Sequence, residues 1–180
     1  VSRPPRARES VLDAFEAALI DDGARGATMD AVAAAAGVSK GGLLYHYASK
    51  EALETALIDR MLHLVDADVE EMLGSPDGVI PVFVRTSVQS DTPLDRAIVA
   101  TSRLAQTGHK AASAALRDAR RVWEDALRPH TRDESALQLV LLVSDGLYYN
   151  SALATTGVPG PIPQGEDLAA LIALVERAAR

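Results

Sequence analysis

The sequence contains no cysteine, which excludes disulfide scaffolds, thiolate zinc sites and cysteine nucleophiles together and is compatible with a reducing compartment. Aromatic residues are scarce, at 4%, so a core drawn from the 48% of hydrophobic residues has to be aliphatic. Alternating runs rich in Val, Ile and Thr are missing while alanine abounds, a balance that favours helices packed closely on helices over sheets. No apolar run approaches the roughly 20 residues that a membrane span needs. Arg3, Arg6 and Arg8 look like the start of a signal peptide, but Asp13, Glu16, Asp21 and Asp22 interrupt the stretch that follows. The expectation is a soluble, cytoplasmic chain with no membrane partner. A surplus of positive charge is missing too. The 180 residues carry a net charge of −7; residues 1–50 hold six basic and six acidic side chains, and residues 51–180 hold the whole acidic excess. A polyanionic partner therefore has to meet the N-terminal end.

Catalytic patterns are equally sparse. His46, His63, His109 and His130 are scattered, with no HExxH motif, no GxSxG elbow and no phosphate-cradling glycine loop. Asp59 and His63 lie four apart on one helix face and fit either a metal pair or, more simply, an ordinary surface pair. No catalytic residue, metal or cofactor is expected, and the chain is not read as an enzyme.

What is present is helical periodicity. Residues 1–7 (VSRPPRA) read as a loose basic arm. A first helix follows from about Arg8 to Asp22, with Val11, Leu12, Phe15, Ala18 and Leu19 on one stripe and Gly23 as its stop. Thr28 caps a short second helix, Ser39 a third from Lys40 to about Tyr47, and Ser49 a fourth reaching about Leu73. Weaker or longer helical segments cover Val79–Val88, Pro93–Ala105 and Lys110–Arg128. The last two helices run from Asp133 or Ser135 to about Thr156 and from Glu166 to Arg180, joined by the Pro/Gly loop of residues 157–164. The fold class is all-α with about nine helices, divided at residues 1–48 and 49–180.

Residues 28–53, TMDAVAAAAGVSKGGLLYHYASKEAL, carry the most information. Two short helices joined by a tight turn at Gly37 and Val38 fit a helix-turn-helix. Small side chains, Ala33 to Ala36, suit the helix crossing. The second helix starts with Ser39, Lys40, Gly41 and Gly42, a polar and unobstructed end that permits close backbone approach to a groove.

This segment resembles the DNA-binding signature of the TetR family of bacterial transcriptional regulators. GVSKGGLLYHY followed by SKEAL follows the family pattern almost continuously, with Tyr47 in place of the usual Phe and Ala48 in place of the common Pro. The resemblance implies a three-helix DNA-binding head and a larger C-terminal helical domain for ligand binding and dimerisation. By matched position, Thr28 contacts a phosphate; Ser39, Lys40, Gly41 and Gly42 meet base edges and backbone; Tyr45 and His46 contact the DNA backbone; and Lys50 grips a phosphate. Alternatives stay open: Tyr45 as a half-buried core residue, His46 as a helix-end residue and Lys50 as a solvated side chain. Leu43, Leu44 and Tyr47 are assigned to packing. Arg3, Arg6 and Arg8 are optional groove contacts.

The same resemblance implies a homodimer through the last two helices, although their apolar faces also fit a core of the chain's own. It implies binding of double-stranded DNA at a palindromic operator, and release by a small-molecule effector of unknown identity. The effector candidates are Met61, Val65, Phe83, Ile98, Ser102, Trp123, Asp145, Tyr148, Tyr149 and Asn150. Asp145 to Asn150 form a polar cluster in an otherwise apolar helix, where its members either bond one another or meet a polar ligand. The competing classes are a helical interaction module that has lost DNA binding and a small helical enzyme.

Overall fold

The computed structural model describes residues 4–153 and 160–180; Arg3, the expected helix end at Thr156 and the loop start at Gly157 lie outside them. Among the described residues there are nine α-helices and no strand: α1 (Pro4–Gly26), α2 (Met29–Ala35), α3 (Lys40–His46), α4 (Lys50–Gly74), α5 (Val79–Thr86), α6 (Pro93–Gln106), α7 (Lys110–Leu127), α8 (Glu134–Leu153) and α9 (Gly165–Ala179). A single 3₁₀ turn, Arg128–His130, follows α7.

The helix ends follow local chemistry. Residues 4–7 are not an arm but the first turn of α1, where proline lacks only an N–H that would have no partner anyway. Gly23 leaves helical geometry at φ 70°, ψ −179°, and one further turn completes the element. Ser49 and Asp133 accept from Ala52 N–H and Ala136 N–H at 3.3 Å and 2.8 Å, which caps α4 and α8. The His109 ring nitrogen takes Ala112 N–H at 3.1 Å and does the same for α7.

The chain divides into two compact units. The first comprises the residues up to Leu64 together with Pro93–Asp118. Here α1 packs on α2, α3 and α6, and Val11, Phe15, Leu19, Val32, Leu43, Leu53, Leu57 and Met61 are fully buried. The α1 stripe also holds Glu16, which is buried. Its carboxylate takes Arg96 Nε at 3.0 Å and Arg60 Nη1 at 3.4 Å, while Arg60 reaches Glu9 and Asp13 at 2.8 Å each. Two guanidiniums from α4 and α6 thus neutralise one carboxylate of α1.

The second unit comprises Val65–Thr92 and Ala119–Arg180. Its apolar cluster includes Met72, Ile80, Phe83, Val84, Leu137, Val140, Leu141, Leu147, Ile172 and Val175. Every residue of α5 from Val79 to Val84 is buried; a helix enclosed all round shows no single stripe, which is why its sequence pattern is weak. At the start of α8, Arg132 donates from its backbone to Ala179 O at 2.8 Å and from Nη1 to Ala178 O at 2.6 Å, tying it to the end of α9.

The stripes of α8 and α9 read from the sequence prove to be core of this unit. Leu137, Val140, Leu141, Ser144 and Leu147 are buried inside it, as are Ile172 and Val175 of α9. A second apolar set remains outside: Leu139, Leu142 (69% exposed) and Tyr149 (63%) on α8, with Leu174 (55%) on α9. Leu139, Leu142, Gly146 and Tyr149 recur at three- and four-residue steps along one face.

Candidate nucleic-acid interface and effector residues

The turn between α2 and α3 is set by the backbone. Gly37, at φ 66°, adopts the left-handed conformation that a side chain disfavours. Its N–H bonds Ala34 O at 3.2 Å and Val38 N–H bonds Ala33 O at 3.0 Å, the paired pattern of a Schellman stop. Ser39 then caps α3, its hydroxyl accepting Gly42 N–H at 3.0 Å, and Thr28 caps α2 by accepting Ala31 N–H at 3.2 Å. Both hydroxyls are exposed and keep hydrogen-bonding capacity toward solvent.

This frame leaves most of the expected DNA contacts exposed. Ser39, Lys40 and Gly41 are exposed and Gly42 partly so. A Cβ at Gly41 would meet nothing nearer than Ser39 Oγ at 4.0 Å, whereas one at Gly42 would lie 3.3 Å from that oxygen and 3.7 Å from Val38 Cβ. Gly42 is thus part of the turn, and Gly41 has no neighbour in the chain that requires a glycine. Tyr45 is 83% exposed, which sets aside its core reading. His46 packs edge-on to it, with ring centroids 5.2 Å apart. Leu44, assigned to packing from the sequence, is instead 43% exposed beside Tyr45. The short α3 has only its Leu43 face, fully buried, to attach it.

Two cations of the head are already engaged. Lys40 Nζ lies 3.0 Å from Asp30 Oδ1, a surface pair worth at most about 1 kcal/mol and open to exchange for a phosphate. Lys50 Nζ donates to Ala24 O at 2.7 Å and so is not simply solvated; an ammonium retains two further protons for another acceptor. Arg6 is exposed. Arg8 lies over the Tyr47 ring, 5.3 Å from its centroid, and Tyr47 is buried with its hydroxyl donating to Arg8 O at 3.5 Å. Burial pushes the Tyr47 phenol up, partly offset by Arg8. Tyr47 is the packing residue that the sequence suggests.

The ten effector candidates divide between the units. Met61, Ile98 and Ser102 belong to the first, and Val65, Phe83, Trp123, Asp145, Tyr148, Tyr149 and Asn150 to the second. Met61 and Val65 are fully buried, and Ile98 and Ser102 are partly covered. Phe83 and Trp123 meet with ring centroids 6.4 Å apart. The expected polar cluster disperses. Asp145 pairs with Arg120 of α7, at 3.0 Å for Nη1 to Oδ1. Asn150 donates to Pro161 O at 3.0 Å, an approach that needs glycine at 160, because a Cβ there would sit 2.3 Å from the Asn150 amide oxygen. Tyr149 faces outward and Tyr148 is partly covered.

Sequence reasoning passed over Asp68 and Arg120. Asp68 accepts the Trp123 indole N–H at 2.8 Å. Burial pushes its carboxyl up, the indole hydrogen bond opposes this, and nearby Glu71 adds to the rise. No helix among the described residues is long and apolar enough to cross a membrane. Of the histidines once weighed for metal binding, His63 bonds the Asp59 backbone oxygen at 2.7 Å.

An all-α chain with a capped helix-turn-helix presenting a bare glycine and an exposed tyrosine is built like a nucleic-acid-binding regulator. Residues 11–57 match the family model of the bacterial regulatory proteins, tetR family. No curated protein matches the sequence. Solved structures match along almost the whole chain. A Rhodococcus sp. protein named as a TetR-family transcriptional regulator is 19% identical with TM-score 0.67, covering 97% of this chain and 98% of its own. GusR of Salmonella enterica is 17% identical with TM-score 0.70, covering 99% and 98%. EbrR, a multidrug binding protein solved with imidazole, is 19% identical with TM-score 0.60, covering 96% and 94%. The chain has the fold of a TetR-family transcriptional regulator.

Proposed function

We propose that the chain is a ligand-responsive transcriptional regulator, acting as a homodimer on a palindromic operator and released by a small molecule, most simply as a repressor in the cytoplasm and not as an enzyme. The observation that carries this reading is the exposure of Ser39, Lys40, Gly41 and Tyr45 along α3, held by two side-chain caps and a glycine turn within the segment that matches the tetR family model. Thr28, Ser39, Lys40, Gly41, Gly42, Tyr45, His46 and Lys50 are its DNA-contacting set, with the functional boundary near residues 48 and 49. Residues 1–50 carry no net charge, so one head binds feebly alone, because non-specific affinity comes from neutralised phosphates. Two heads on a two-fold pair multiply the effective concentration and read half-sites roughly 34–36 Å apart. The outward leucines of α8 and α9 support such a pair, since an isologous interface needs an apolar face that the chain's own core has not used. EbrR offers a precedent for this fold holding small molecules. An effector that favours a different head spacing by about 1–3 kcal/mol changes operator affinity roughly 5- to 150-fold.

The test is a salt series on duplex DNA from the chain's own upstream region. The expected result is a salt-dependent affinity that Lys50→Ala weakens on every sequence, its slope flattening by about 0.9 for the lost phosphate contact. A folded protein with no salt-dependent binding to any duplex would make it a helical interaction module instead.

A further inference from the structure

A carboxylate on the buried stripe of a helix is costly unless a cation or several donors meet it. Asp68, itself partly buried, occupies such a position. It lies three residues after Val65 and four before Met72, both fully buried, on the inner face of α4. Val69 beside it packs on the apolar cluster of the second unit, as Trp123 does. One neutral donor, the Trp123 indole, serves Asp68 Oδ2, and the charge acting on it is Glu71, of the same sign. The Phe83 ring stands 6.4 Å from that indole, tilted by 49°. On α8 Ser144 is 97% shielded, and its hydroxyl has no hydrogen-bond partner among the described residues. It shares a helix face with Val140 and Leu147, both members of the same cluster. A carboxylate and a hydroxyl that lack, among the described residues, a cation and a partner respectively are thus held with two aromatic rings by α4, α5, α7 and α8 within one unit.

We propose that this part of the second unit is the effector site and that its ligand is an organic cation with an apolar or aromatic body. The inference rests on the ligand-responsive reading above and names the chemistry of its ligand. Asp68 supplies the counter-charge, Trp123 and Phe83 supply faces that attract a cation and stack on its body, and Ser144 offers a hydroxyl to any polar group that reaches it. A neutral or anionic molecule of the same shape would remove water from the carboxylate without replacing it.

Trp123 is the single tryptophan, so its fluorescence reports this site in the absence of DNA. The full chain is titrated with tetraphenylphosphonium and tetraphenylborate, similar in shape and opposite in charge. A smaller pair, benzyltrimethylammonium and its neutral isostere neopentylbenzene, covers a tighter site. The expected result is saturable binding of at least one cation, tenfold or more tighter than its uncharged or anionic counterpart, with Asp68→Asn erasing the difference. Absence of cation preference in both pairs, or a preference that survives in Asp68→Asn, overturns the proposal. Duplex binding is measured separately. Cation binding without duplex binding removes the regulator reading and leaves the site, whereas duplex binding without cation preference removes the site and leaves the regulator.

Discussion

Each unit carries one carboxylate on the inner stripe of a helix, Glu16 buried and Asp68 partly buried, and the two are treated in opposite ways. In the first, Glu16 of α1 meets Arg60 and Arg96, one from α4 and one from α6. In the second, Asp68 of α4 meets an indole N–H and, among the described residues, no cation. A buried carboxylate with two guanidiniums is a fastener: it contributes little net stability over an apolar residue, but removing one partner strands the others. A partly buried carboxylate with a single neutral donor leaves charge unsatisfied, as a binding site for a missing cation requires. The difference separates a unit whose charges hold helices to one another from a unit whose charge remains available to a ligand.

The largest effect expected from this contrast is on stability. Glu16→Ala should cost about 3 kcal/mol in denaturant unfolding, near the low end for a broken buried pair because Arg60 and Arg96 are partly exposed. Asp68→Asn should shift the same transition by less than about 1 kcal/mol, since it strands no cation. Equal costs at both positions would break the comparison and make Asp68 structural.

Next comes the outer face of the second unit. Leu142→Glu should halve the mass seen in sedimentation and lower duplex affinity about 100-fold through lost avidity, while unfolding of the subunit changes by no more than about 0.5 kcal/mol. A dimer that survives this change in full would move the interface away from α8.

Gly41→Ala sharpens the account of the first unit. The position is helical and open, so alanine should stabilise the fold by up to about 1 kcal/mol. The same methyl should lower duplex affinity about tenfold where the backbone meets the groove. Stabilisation with unchanged binding would take Gly41 out of the interface. Tyr45→Phe is the smallest change expected. Losing one hydroxyl contact of about 1 kcal/mol weakens duplex binding roughly fivefold, and the melting temperature stays put because the side chain is largely exposed.

Much of the head was legible because its signals are local. Thr28, Gly37 and Ser39 act on backbone groups within five residues of themselves, so their roles follow from residue type and spacing alone. Leu44 was misread because a leucine in a seven-residue helix looks like packing, and only the placement of Leu43 against α1 and α2 shows which of the two faces inward. Asp68 was hidden by its neighbours. With Asp66, Glu70 and Glu71 around it, it reads as part of a solvated acidic face, although its distances from Val65 and Met72 already place it on the buried side.

Helix number, most helix ends and the recognition turn were determined by the sequence itself, because caps, glycine conformations and three- to four-residue periodicity are interactions between near neighbours. Which of two apolar stripes on α8 fills the core, and which carboxylate finds a cation, was decided by tertiary packing. Glu16 meets its arginines across 44 and 80 residues, and Asp68 meets its indole across 55. No local pattern records which distant side chain will arrive.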